Sequence, residues 1–425
     1  MYFFALAAAG LMTACSSDDA VSNGGQPDET ALVPIQIGVS PTEVITRGTG
    51  TVGGTTAETN KWNNEKVNVY MFNKGTMKLA KFEFDNEGGT TSHEIYNNKT
   101  LTAPVSTDSV VTLTDDEKDI EYYPMKGNFD FWGYRIDDAT LLNETDGIDY
   151  TSGPVAVDAQ GAKVEDAANA VAYVTKFTID GSQDIMRGKA TLTPAQKETM
   201  GGDADRVYSA FAARKKVQPV IDFEHLLTRF TFQVVPGSAS AAGITDPEIS
   251  GYKAVAVRGI KIKSKNTATL PVAYTGDDAD NGITFADDVA ELSLKASTAG
   301  DDGKLEDFPE AGISLEGTWN DGSATATNIG SALLVAPGET SYEMILTLSQ
   351  DVPTSSDSEN PNVQTKQQNL TLPIEIKVAD GEEAKPFEAG HSYNVVITVY
   401  GLEQITVDAN LSMWKPDANI GIDAQ

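Results

Sequence analysis

Three groups of residues in this 425-residue chain have types and spacings that could carry chemistry. The first is Cys15, the only cysteine. An uncharged run from Tyr2 to Ala14 precedes it, and Ser16-Ser17-Asp18-Asp19 follows at once. That run is too short to span a bilayer but long enough for the apolar core of a secretory signal. Small residues at Thr13 and Ala14 ahead of the cysteine match a bacterial lipobox. A signal peptidase would cut before Cys15, and the thiol would then carry a diacylglycerol. Residues 1–14 are therefore expected to be a signal peptide, and the mature chain to lie outside the cytoplasm on a membrane surface. Met1 to Phe4 lack the Lys or Arg that such a leader ordinarily carries, so the signal is atypical or the start lies upstream.

The second group is Arg47-Gly48, at the head of the glycine-rich, strand-poor segment Gly48 to Gly54. A basic residue there is an exposed, cleavable site. The third group is the histidines, His93, His225 and His391. None lies at helix spacing from another or beside a cysteine, so a His/Cys metal site has almost no material. A Ser-His-Asp arrangement could be drawn around any of them, but no Gly-x-Ser-x-Gly elbow supports it. His225 reads as a packed residue with one polar contact. Asp277, Asp278 and Asp280 before Gly282 lack the order and closing Glu of a calcium loop and read as an acidic turn. Trp62, Trp132 and Trp414 read as core or sheet-face residues, while Trp319 lies in a polar stretch where a ligand could touch it. These residues predict no enzyme, no catalytic or metal-binding group and no cofactor.

Composition narrows the partners. Sixty-two acidic residues against 31 basic give a net charge of -31. Such a surface repels nucleic acid and anionic lipid, and no basic patch overrides it. One cysteine leaves no intrachain disulfide, so stability must come from core burial. Apolar residues at 40%, 37 glycines and scattered Thr, Val and Tyr fit a globular β-protein of two or more domains.

The elements that must position these groups are mostly short strands. Period-2 alternation or dense apolar runs predict strands over 66–72, 79–84, 129–135, 173–179, 184–192 and 228–235. Others are expected over 255–262, 332–335, 342–348, 370–378 and 393–399. Pro194 and the glycines at 201 and 202 bracket a short helix. Many strands with few helices argue for β-sandwiches. Residues 16–31 read as a flexible tether.

Two terminal segments share one form. Val33, Ile35, Ile37 and Val39 alternate with Pro34, Gln36 and Gly38. Ile405, Val407, Ala409, Leu411 and Met413 alternate with Thr406, Asp408, Asn410 and Ser412. Each predicts an amphipathic strand that could fill a groove through every second side chain. Were the first strand cut loose at Arg47, it would leave an unpaired edge, which templates pairing with another chain. A neighbour's C-terminal strand burying four or five such side chains would gain roughly 6–12 kcal/mol gross. A head-to-tail contact of this kind does not close and so builds a filament. Both segments could equally be ordinary strands of their own domains.

Several stretches resemble the fimbrillin family, the type V pilins and related surface lipoproteins of Gram-negative anaerobes. They are the lipobox with Cys15, Val44-Ile-Thr-Arg-Gly48, Phe129-Asp-Phe-Trp-Gly-Tyr134 and Asp180-Gly-Ser-Gln-Asp-Ile-Met186. Phe223-Glu-His-Leu-Leu-Thr-Arg-Phe-Thr-Phe232, and Gly390 to Tyr400 running into Ile405 to Trp414, complete the set. The resemblance implies two tandem transthyretin-like β-sandwich domains, placed here at 48–216 and 217–402. It implies a lipidated tether and removable first strand over 15–47 and a donor-strand segment over 403–425. An arginine-specific protease would cut after Arg47 and leave Gly48 as the new N-terminus. Val33, Ile35, Ile37 and Val39 would be displaced, and Ile405, Val407, Ala409, Leu411 and Met413 of a neighbouring subunit would replace them. The chain would begin as a lipoprotein of the outer membrane and end in an extracellular fimbrium, as a stalk subunit with both a removable and a free strand. The alternative is a monomeric surface lipoprotein or tip adhesin that binds a glycan or host ligand.

Overall fold

The computed structural model describes residues 31–41, 62, 64–86, 89–106, 110–117, 119–143, 147–244, 253–277, 281–300, 304–320, 323–354, 363–379, 381–402 and 405–412. Strands take up 50% of the described residues and helices 7%, so the fold is all-β. The strands build two β-sandwiches.

The first sandwich is centred on a seven-stranded sheet. Its order across the sheet is Lys99–Ala103, Glu65–Asn73, Phe129–Arg135, Met186–Ala190, Val220–His225, Gly38–Pro41 and Val111–Thr112. Side chains of alternate parity leave its two faces, as the pleat requires. On one face, Tyr70, Phe72 and Trp132 meet the aromatic residues of a second sheet. Tyr173 lies 5.1 Å from Tyr70 and 5.2 Å from Phe72, and Tyr274 lies 4.6 Å from Trp132, between ring centroids. On the other face, Val67, Val69, Met71, Phe131, Ile221 and Phe223 form a separate core with residues of two helices and their flanks. The Pro194–Met200 helix begins with a reciprocal capping box between Thr193 and Gln196, as its Pro-to-Gly signature predicts. Ser209 caps the Ala210–Arg214 helix.

The second sandwich packs two sheets face to face. One has the order Thr327–Val335, Thr228–Pro236, Ser392–Val399, Ile405–Ser412. The other has the order Val289–Ser293, Ala256–Lys265, Ser341–Pro353, Val363–Glu375. Phe230 and Tyr342 meet edge to face across the gap at 5.5 Å. Almost every strand expected from periodicity is present, with ends shifted by a few residues.

The chain passes from the first sandwich to the second between His225 and Thr228, through Leu226 and Leu227 alone. Traffic also runs the other way. The strand Thr267–Tyr274, not among those expected above, buries Ala268, Leu270, Val272 and Tyr274, pairs antiparallel with Ala172–Thr178 and completes the second sheet of the first sandwich. Arg187 fixes this arrangement: its Nη1 donates to the Pro271 carbonyl at 2.8 Å and the Asn281 carbonyl at 2.6 Å. Its guanidinium also lies 4.7 Å from the Tyr274 ring centroid, so desolvated charge, main-chain acceptors and an aromatic face act together.

Candidate strand-exchange site

The segment 33–41 forms the innermost part of the candidate site. Gly38–Pro41 lies inside the seven-stranded sheet, parallel to Val220–His225 on one side and antiparallel to Val111–Thr112 on the other. The backbone before it is held as well. Ile35 N–H donates to Glu121 O at 2.8 Å, Tyr123 N–H to Val33 O at 2.9 Å, and Leu113 N–H to Ile37 O at 2.8 Å. The Gln218 amide donates to Pro34 O at 3.3 Å.

The side chains follow the alternation. Ile35, Ile37 and Val39 are buried in the helix-side core, Val33 is half-buried against it, and Pro34 and Gln36 are exposed. Gly38 permits the close approach: a Cβ there would come within 2.8 Å of Val110 Cγ1 and 3.3 Å of Val220 Cγ2. Burying three such aliphatic side chains contributes roughly 5–9 kcal/mol gross, on the scale of a whole domain's stability. The segment therefore supplies part of the core of the first sandwich.

The C-terminal strand Ile405–Ser412 lies at a sheet edge. It pairs antiparallel with Ser392–Val399 through eight residue pairs, from Val399–Ile405 to Ser392–Ser412. Its outer side carries a bridge from Ala409 to Ile376. Ala409 is buried, Ile405 and Val407 are half-buried, and Thr406 is exposed, so over 405–409 the apolar face is the inward one. Cys15, Arg47, Gly48, Met413 and Trp414 lie outside the described residues.

The structure joins the two ends through a short route. Val220–His225, the parallel neighbour of the N-terminal strand, continues after two residues into Thr228–Pro236. That strand pairs with Ser392–Val399, which holds the C-terminal strand.

Buried charges gather at the turn in this route. His225 Nδ1 lies 2.9 Å from Asp184 Oδ1, with both side chains sealed from solvent. Arg135 donates to Asp137 at 2.6 Å and to the Asp184 carbonyl at 3.1 Å. Arg229 donates to Ser392 Oγ at 3.0 Å. Burial pushes the Asp137 carboxyl above the usual carboxylate range, against the pull of Arg135. Burial likewise brings Arg229 down to about 10. The motifs around Asp184 and His225, 41 residues apart in sequence, are thus one cluster. A histidine and an aspartate this deeply enclosed offer no approach to a substrate.

The other flagged residues are scattered. His93 lies 2.9 Å from Glu121 on the surface, and His391 lies 3.4 Å from Glu388. Trp62 and Trp132 are buried, and Trp319 is half-buried in a two-residue strand. Asp115, Glu117 and Asp119, not marked in the sequence, each place a carboxylate oxygen within 4.8 Å of the others.

No family model matches the chain, and no curated protein matches it. Solved structures of similar extent include a candidate cell adhesion protein from Bacteroides uniformis, 16% identical, with a TM-score of 0.39 over 92% of this chain and 100% of that one. Another, from Parabacteroides distasonis, is 12% identical, with a TM-score of 0.32 over 90% and 99%. The fimbrial anchor protein Mfa2 from Porphyromonas gingivalis is 12% identical, with a TM-score of 0.28 over 89% and 99%.

Proposed function

We propose that this chain is a structural subunit of a surface fimbria, of the stalk kind. It is exported as a lipoprotein precursor and polymerised by strand exchange after cleavage at Arg47. The observation that carries the reading is the seat of residues 33–41. The segment between Cys15 and Arg47 is held against the main sheet, with Ile35, Ile37 and Val39 buried and Gly38–Pro41 as an inner strand.

Before cleavage the segment is part of the same chain as its groove, so its effective concentration there is in the millimolar range or above. No strand from another molecule competes with that. Cleavage after Arg47 turns the segment into a separate peptide that is lost by dilution once it leaves. A neighbour's Ile405, Val407, Ala409, Leu411 and Met413 offer the same spacing of apolar side chains to the vacated groove. That strand leaves an edge rather than a sheet interior, so only one full ladder must open. In this reading the lipid at Cys15 holds the precursor on the outer membrane, and one cut frees anchor and plug together. The donor segment 403–425 belongs to the same proposal, and so does the two-domain division, with its expected limit at 216/217 moved to Leu226–Leu227 because Val220–His225 is a strand of the first sandwich.

A second reading has one observation in its favour. Ile405–Ser412 pairs with its own sheet along its whole length, as a monomeric surface lipoprotein that binds a glycan or host ligand would require.

The test is brief treatment of the signal-free chain with an arginine-specific protease, followed by N-terminal sequencing and a gel run without boiling. A new N-terminus at Gly48 with a series of high-mass species is the expected result. Arg47→Ala should abolish both, and deletion of 403–425 should leave cleaved monomer. A wild-type chain cut at Arg47 that stays monomeric would refute strand exchange in favour of the second reading.

A further inference from the structure

A cavity of about 330 Å3 adjoins the N-terminal strand without being filled by it. Its apolar wall is formed by Ile35, Ile37, Tyr96, Leu101, Leu113 and Ile120. The first five are buried, while Ile120 is 61% exposed, a large aliphatic side chain left in water. The polar side of the cavity is lined by Asp115, Asp119 and Glu121. Residues 115–121 hold five carboxylates and a single lysine. Lys99 reaches Asp115 at 3.3 Å and also pairs with Glu117, Lys66 pairs with Asp116, and His93 reaches Glu121. The cation supply is therefore short of the carboxylates. After burial, the charges of Glu121 and Asp115 are the next causes that push the Tyr96 phenol up, which marks the local field as negative.

The shape and charge of this cavity call for an aromatic group followed by a cation. Between Gly401 and Gln425 the chain has one aromatic residue, Trp414, and one cation, Lys415. We propose that the cavity receives Trp414 from the C-terminal segment of a second copy, with Lys415 set against the carboxylates at the rim. The proposal rests on the strand-exchange reading and names where the incoming chain first engages.

Size agrees: an apolar cavity of about 150 Å3 already admits a single benzene ring, so this one admits a two-ring indole. Geometry agrees as well. Adjacent residues of an extended segment face opposite ways, which turns the indole inward and the ammonium outward to the exposed carboxylates. The docking point also shares Ile35 and Ile37 with the strand to be displaced. An incoming segment can thus be held beside the resident strand before it takes that strand's place.

The donor is assigned to another copy because Ser412 ends a strand of the second sandwich, bonded to Ser392–Val399. Ala409 belongs to one core and the cavity's buried wall to the other.

The experiment measures the rate at which high-mass species form after arginine-specific cleavage of the full chain. Trp414→Ala should slow it by about tenfold or more, as the loss of an aromatic anchor does, with cleavage at Arg47 and the melting temperature unchanged. Lys415→Glu should also slow it, and Lys415→Glu combined with Asp119→Lys in one chain should restore part of the rate. Wild-type rates from Trp414→Ala overturn the proposal and leave strand exchange standing. Absence of high-mass species from the wild-type chain overturns both. If chelation of calcium abolishes assembly and the charge swap restores nothing, the carboxylates hold a metal ion rather than Lys415, and the proposal is wrong.

Discussion

Ile37→Ala tests whether the N-terminal strand is a separable part of the fold. Ile37 is 2% exposed and lies in the helix-side core. Cutting a buried isoleucine back to alanine costs about 2–5 kcal/mol. The lower half of that range applies here, because the neighbouring 330 Å3 cavity gives the surrounding wall room to relax. A loss of about 2–3 kcal/mol raises the population of the open strand by about 30- to 150-fold. Two amides report that opening directly. Leu113 N–H is bonded to Ile37 O, and Tyr123 N–H to Val33 O. Hydrogen exchange should show both losing protection by about that factor, while amides of the Ser392–Val399 strand keep theirs. If Leu113 and Tyr123 lose no more protection than the second sandwich does, the strand opens only with the whole protein, and a separable plug is ruled out.

Three further outcomes are expected. Gly38→Ala should destabilise the chain by about 1–3 kcal/mol in urea unfolding, since the new methyl meets Val110 Cγ1 at 2.8 Å within a closed sheet. Arg187→Met removes two charged hydrogen bonds to the Pro271 and Asn281 carbonyls. It should cost about 2–4 kcal/mol, and hydrogen exchange should show the loss concentrated in Thr267–Tyr274 and Ala172–Thr178. Asp137 has a folded pKa raised above its unfolded value, chiefly by burial. Its contribution to stability is fully present below the unfolded pKa and is lost as pH rises through the folded one. Wild-type urea midpoints should therefore fall with rising pH just above the ordinary carboxylate range, and Asp137→Asn should flatten that slope.

Much of the fold was legible because a strand with one buried face writes its period into the sequence. Thr228–Pro236, Ser341–Pro353 and Ser392–Val399 are strands where alternation predicts them. The inward faces of 33–39 and 405–409 are the apolar ones. Thr267–Tyr274 alternates, with Ala268, Leu270, Val272 and Tyr274 on the buried face, but a proline in mid-run counts against a sheet interior, and its partner Ala172–Thr178, almost a hundred residues upstream, leaves no local mark. The Asp184–His225 contact was equally hidden, since each residue taken alone is an ordinary polar residue beside a strand.

By itself the sequence determined the all-β class, the period-2 alternation of the two terminal segments, a single cysteine directly after an apolar run, and the net acidity. These follow from composition and from side-chain order along one strand, which are local properties. Only the tertiary structure decided where the strands lie. It seated residues 38–41 inside a sheet and 405–412 at the edge of another, left a cavity beside the first, and lent a strand of the second half to the first sandwich. Strand pairing is set by backbone groups that are alike at every residue, so a strand's neighbours are chosen by the packing of the whole chain and not by its own sequence.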